Sequence, residues 1–127
     1  MTGQVLLVDD EPGLREAVQA YLEDSGFTVT AASNAREGLD WARQTLPDLV
    51  ITDIMMPQVD GYQFLQQLRE EPQFKTVPVV FLTARGMTAD RIQGYDAGCD
   101  AYLSKPFDPD ELVAIVNNLI EKQKARL

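Results

Sequence analysis

Val5-Leu6-Leu7-Val8-Asp9-Asp10 and Leu49-Val50-Ile51-Thr52-Asp53 are short apolar runs rich in branched side chains, and each closes on aspartate. Runs that are apolar at nearly every position are what strands read like when helices cover both faces of a parallel sheet. Val79-Val80-Phe81-Leu82 repeats the pattern and closes on Thr83, and Tyr102-Leu103-Ser104 closes on Lys105. In an open parallel sheet the carboxyl ends of the strands share one edge, and ligands bind there, where the strand order reverses. Asp9, Asp10 and Asp53 are therefore expected in one acidic pocket. Like charges crowded together repel and raise one another's pKa unless a cation neutralises them. A hard, oxygen-seeking ion such as Mg²⁺ suits such a pocket, since it takes one or two carboxylates and keeps waters or phosphate oxygens.

Outward from these runs, strand and helix patterns alternate along the whole chain, which argues for βαβ units. Strands are expected at Gln4 to Val8, Thr28 to Ala31, Leu49 to Thr52, Pro78 to Leu82 and Ala101 to Ser104, with the first, third and fourth central. Helices are expected at Pro12 to Asp24, Asn34 to Gln44, Gly61 to Glu70, Thr88 to Ala97 and Pro109 to about Lys124. Leu14, Ala17, Val18, Tyr21 and Leu22 recur at helical spacing in the first, and Ser25-Gly26 supplies its stop. Asp108 as N-cap and Pro109 at the first helical position start the last, whose carboxyl end carries Lys122, Lys124 and Arg126. Right-handed crossovers place helices on both faces of a five-stranded sheet. Trp41 and Phe64 read as core packing, and Cys99 as a small buried hydrophobe.

The 127 residues fit one domain with a core of its own, and 45% apolar with 24% charged residues is the profile of a globular protein. No run is long enough to cross a bilayer and the first residues carry no signal-peptide pattern, so the cytoplasm is expected. The single Cys99 cannot bridge within the chain, and with no histidine a zinc site has almost no ligands available, so redox and zinc chemistry are not expected. A net charge of −9 disfavours direct binding of nucleic acid or anionic membrane. Beyond Glu121 the basic stretch reads either as a frayed helix end or as the start of a linker to another domain.

The order Asp-Asp, Asp, Thr, Lys on successive strand ends resembles the receiver domain of two-component response regulators. Val8-Asp9-Asp10-Glu11-Pro12, Asp53-Ile54-Met55-Met56-Pro57, Asp60-Gly61, Leu82-Thr83-Ala84 and Lys105-Pro106-Phe107 carry the resemblance across essentially the whole chain. Each string is weak alone; all of them in register are specific. The resemblance implies a flavodoxin-like, doubly wound α/β fold with five parallel strands in the order 2-1-3-4-5 and five helices. It implies Asp53 as phosphoacceptor from a histidine kinase, with Mg²⁺ (or Mn²⁺) held by Asp10, Asp53 and the Met55 backbone carbonyl, and by Asp9 through water. Lys105, joined to Pro106 by a cis bond, would pair with Asp53 and then with phosphate oxygens. Thr83 would bond a phosphoryl oxygen and draw in the loop Ala84-Arg85-Gly86, and Tyr102 would turn inward behind it. Gly61 reads as the residue that lets its loop turn into a helix, and Pro57 as a stiffener beside Asp53.

Other readings meet specific residues. A phosphatase of the haloacid dehalogenase type places a second aspartate two positions after its nucleophile, where this chain has Met55, so turnover is not expected. An FMN binder would offer uncharged donors after the first strand, where this chain has Asp9-Asp10-Glu11. A receiver that takes no phosphate would lack one of the five groups. Output is open between a DNA-binding regulator, in which the receiver pairs through its fourth helix, fifth strand and fifth helix, and a stand-alone receiver that docks on partners. Ala101 and Ile115 stand where charged residues typify the winged-helix class and put its dimer mode in doubt. Leu112, Val113, Ile115, Val116, Leu119 and Ile120 make the last helix apolar nearly all round, so Ile115 or Leu119 is expected exposed at an interface.

Overall fold

The computed structural model describes residues 2–84 and 86–125. Arg85 and Arg126, which figured in the expectations above, lie outside them. The elements run β1 (Gln4–Val8), α1 (Pro12–Asp24), β2 (Thr28–Ala32), α2 (Ala35–Gln44), β3 (Leu49–Thr52), α3 (Gly61–Glu70), a 3₁₀ turn (Pro72–Phe74), β4 (Val79–Thr83), α4 (Thr88–Asp96), β5 (Ala101–Ser104) and α5 (Pro109–Ala125). The five strands are all parallel, in the order β2-β1-β3-β4-β5. As expected, β1, β3 and β4 are central, and the reversal of order falls between β1 and β3.

Alternation with period two sends successive residues of each strand into two cores, one on each face. Leu6 and Val8 of β1, Val50 of β3, and Val79 and Phe81 of β4 pack with Phe64, Leu68 and Phe74. Val5 and Leu7, Ile51, and Val80 and Leu82 pack with Val18, Leu22, Leu112, Val116 and Ile120. Two helix ends show local chemistry setting the boundaries. After α1, Gly26 at φ 101° donates its N–H to the Glu23 carbonyl and Phe27 donates to Leu22, which closes the helix as Ser25-Gly26 predicts. At α5, Asp108 Oδ1 accepts the Asp110 N–H at 2.9 Å, which makes Asp108 the cap.

Some expectations shift. β4 begins at Val79 rather than Pro78 and includes Thr83, whose backbone still pairs with Ser104. β2 extends to Ala32, α4 ends at Asp96, and α2 starts at Ala35 with Asn34 as its cap. Trp41 is 42% exposed and outside the core, because small residues, Ala35, Gly38 and Ala42, take the inward face of α2. A Cβ on Gly38 would sit 2.7 Å from Val8 Cγ2, so the helix lies too close to β1 to admit an indole beneath it. Phe64 and Cys99 are buried as expected, whereas Tyr21 of α1 is 47% exposed. Ile115 and Leu119 are half-buried rather than exposed; with Ala101 and Ala114 they line a shallow apolar groove of about 340 Å³. The chain stays helical past Glu121 as far as Ala125.

Candidate functional site

Parallel register brings the polar groups together. Val8 pairs with Thr52, and Asp53 donates its N–H to the Val8 carbonyl, so Asp9 and Asp53 leave neighbouring strands side by side. Thr83 pairs with Ser104, and the Lys105 N–H bonds the Thr83 carbonyl at 2.8 Å. Asp9, Asp53 and Thr83 are all buried, while Asp10 is exposed at the rim. The carboxylates of Asp9, Asp10 and Asp53 each offer an oxygen within 4.8 Å of the others.

Lys105 Nζ lies 3.3 Å from Asp9 Oδ2 and 3.3 Å from Asp53 Oδ2. Its bond to Pro106 is cis. The two buried acids, Asp9 and Asp53, are also held by backbone N–H groups. Asp9 Oδ1 accepts the Glu11 N–H at 2.9 Å, and Asp53 Oδ1 accepts the Ile54 N–H at 2.7 Å with a longer one from Met55. Burial, the largest influence on Asp9, pushes its carboxyl above the usual aspartate range. The Asp53 charge adds to this, while the Glu11 N–H and Lys105 offset it only in part. One ammonium among three carboxylates leaves the pocket net negative. A donor set made only of carboxylate oxygens, without imidazole or thiolate, fits a hard divalent cation.

Further residues hold this edge in shape, and the sequence reading missed them or misjudged their work. Arg15, one turn into α1, donates from Nη1 to the Asp9 carbonyl at 2.8 Å and ties the end of β1 to the helix. No motif in the sequence marks a side chain that reaches six residues back to a strand-end carbonyl. Gly61 is not needed for an unusual φ. A Cβ there would collide with the Asp53 carbonyl oxygen and lie 2.7 Å from Ile54 Cα, so glycine is required by the close approach of α3 to the acid's own backbone. Asp60 and Gln63 cap that helix reciprocally, a pattern legible as Asp-x-x-Gln. In the intervening loop Gln58 adopts φ 70° and Val59 N–H bonds the Pro57 carbonyl at 2.8 Å, a γ-turn of the strained hand beside Pro57.

Behind the site, Tyr102 is buried and meets Phe81 edge-on at 6.2 Å, and Phe81 meets Tyr62 edge-on at 5.4 Å. Cys99 is buried nearby with its thiol pushed up to about 12, mainly by that burial, which removes it as a nucleophile.

A five-stranded doubly wound sheet with three acids and a lysine at its switch point is the architecture of a phosphoryl-signalling receiver. The chain belongs to the response regulator receiver domain family, whose pattern matches residues 5–117. It is 70% identical over 122 residues to "Response regulator Rre1" of Synechocystis sp., covering 95% of this chain and 53% of that protein. It is 52% identical to "Probable transcriptional regulator ycf29" of Pyropia yezoensis, covering 96% of this chain and 55% of that one. The chain thus spans about half the length of the curated relatives it matches. Among solved structures, the receiver domain of Francisella response regulator 1452 superposes with a TM-score of 0.88 at 34% identity, over 94% of this chain and 98% of that one. Chemotaxis protein CheY4 of Vibrio cholerae gives 0.87 at 31%, over 94% and 99%. Among the described residues no helix is long and apolar enough to cross a membrane.

Proposed function

We propose that Asp53 is the phosphoacceptor of this receiver and that the donor is a phosphohistidine on a histidine kinase. In the transfer an Asp53 carboxylate oxygen attacks phosphorus, the P–N bond breaks, and the imidazole leaves with the bonding pair. Asp10, Asp53 and the Met55 carbonyl, with Asp9 through water, are the groups that would hold Mg²⁺. The ion supplies charge neutralisation for the incoming phosphoryl oxygens. Lys105 then exchanges its carboxylate partner for a phosphoryl oxygen, and the Thr83 hydroxyl bonds another. The Ile54 and Met55 N–H groups hold Asp53 Oδ1, so Oδ2, which faces the Lys105 ammonium, would be the reacting atom. The observation that carries this reading is Lys105 Nζ standing 3.3 Å from both Asp9 and Asp53, which sets one cation against two buried acids.

Met55 stands two positions after Asp53, where a haloacid dehalogenase-type phosphatase carries its acid–base aspartate, and the chain has no histidine to take that part. We therefore read it as a regulatory acceptor acting in the cytoplasm rather than as an enzyme. Residues 1–127 would form the receiver, with α5 from about Glu121 leading into an output domain. The names of the relatives, transcriptional regulators among them, support DNA binding by that output domain, and the net charge of −9 argues against it for this surface. Signal would leave through Thr83 and Tyr102 to α4, β5 and α5, where Ala101, Ala114, Ile115 and Leu119 offer an apolar patch for a second copy. Asp53→Asn, incubated with acetyl phosphate and Mg²⁺, is expected to take no label while keeping its far-ultraviolet circular dichroism. Persistent labelling would move the acceptor elsewhere.

A further inference from the structure

Helix α4 buries fewer residues than any other α-helix. Gly94 is its only buried residue, and Met87 at its N-cap makes no side-chain hydrogen bond. Ile92 and Tyr95 are each more than half exposed. By contrast α3 and α5 each bury four residues, and α1 is held by Val18 and Leu22. A Cβ on Gly94 would stand 2.6 Å from Cδ2 and 2.9 Å from Cε2 of Tyr102, closer than packed carbons come, and 3.4 Å from Phe81 Cδ2. The backbone of α4 therefore rests directly against the Tyr102 ring. Gly86, just before the helix, makes the same kind of approach: its Cβ would stand 2.8 Å from the Cβ of Ser104. Tyr102 and Ser104 are two apart on β5 and share a face. Phe81, in register with Tyr102, lies two residues before Thr83 on β4.

We infer that Gly94 is a positioning residue of the switch: its missing methyl admits the Tyr102 ring inward and makes that ring the seat of α4. A displacement begun at Thr83 then reaches the helix through this contact. The inference rests on the reading of Thr83 and Tyr102 as switch residues. It sets two effects of Gly94→Ala against each other. Alanine favours a helix interior over glycine, so an alanine with room to spare stabilises the protein. Here the new methyl meets an aromatic ring and drives it out.

The test compares the unaltered chain, Gly94→Ala, Tyr102→Ala and the double variant. Each is titrated with beryllium fluoride, a phosphoryl mimic for carboxylates, in the presence of Mg²⁺, with the amide resonances of α4 followed by NMR, and each is melted. Gly94→Ala is expected to raise the titration midpoint about fivefold or more. In the Tyr102→Ala background the same substitution should leave the midpoint within about twofold and raise the melting temperature as a plain helix substitution. Equal shifts in both backgrounds would overturn the inference, as would no shift in either while Tyr102→Ala alone changes the midpoint. A Tyr102→Ala midpoint identical to the parent's would instead sink the switch reading and the inference with it. If Gly94→Ala fails to fold, recovery of folding in the double variant supports the contact, and failure of both variants overturns it.

Discussion

Lys105 Nζ, 3.3 Å from two buried carboxylates, shows how single residues divide the work at this edge. The meeting of Asp9, Asp10, Asp53, Thr83 and Lys105 at one edge was legible because each follows an apolar run, and strand ends in a parallel sheet share an edge. What holds them was not, since it depends on distances across elements. Gly61 is the clearest case, because the sequence suggests a turn whereas the structure shows α3 pressed against the Asp53 backbone. Gly61→Ala is accordingly expected to destabilise the chain by about 1–3 kcal/mol through overpacking, and to slow acetyl phosphate labelling of Asp53. Thermal denaturation together with a labelling time course checks both; unchanged stability would mean the loop yields freely. Cys99 gives a pH dependence. Its thiol is pushed from the ordinary value near 9 up to about 12 by burial, so the folded state holds the proton more tightly than the unfolded. The associated stability is full below about pH 9 and lost as pH climbs toward about 12. Melting temperatures should therefore fall more steeply over that window for the parent than for Cys99→Ala, and iodoacetamide should spare the native thiol at pH 8.

Among the elements, helices differ in how they are anchored, and that decided where the sequence could be read. α1, α3 and α5 bury large side chains at helical spacing, which makes the helices themselves easy to read, while Ser25-Gly26 and Asp108-Pro109 mark where α1 stops and α5 starts. α2 binds through Ala35, Gly38 and Ala42, so Trp41, the most conspicuous apolar residue on it, was misplaced into the core. Small residues give no hydrophobic signal, yet they fix how close a helix can lie to its sheet. α5 shows the opposite case. Its extra apolar residues were noticed, but Ile115 and Leu119 are half-buried at the edge of a groove rather than fully exposed. If that groove receives a second copy, Ile115→Glu is expected to weaken self-association of the phosphorylated chain about tenfold or more. Sedimentation equilibrium reads the change, and an unaltered association constant would remove the interface.

The molecule as a whole gathers negative charge at one end of its sheet and leaves it only partly compensated. Asp9 bears the cost most directly, since burial and the neighbouring Asp53 both oppose its ionisation. A divalent cation that binds the folded pocket and not the unfolded chain must then stabilise the fold. At ten times its dissociation constant Mg²⁺ should add about 1.4 kcal/mol, or roughly 5 °C in melting temperature for a chain of this size. Chelation should reverse the gain, and Asp10→Asn should abolish most of it. The strand order was expected from the resemblance and is met by the structure, with helices covering both faces of the continuous apolar strands. In the proposed reaction one carboxylate of this nest, Asp53, takes the phosphoryl group. The most direct measurement is to label the chain with acetyl phosphate and Mg²⁺, reduce the acyl phosphate with borohydride, and locate the resulting homoserine by peptide mass spectrometry. Homoserine at position 53 and nowhere else is the predicted result; homoserine at Asp9, Asp10 or any other acid, or none at all, would contradict it.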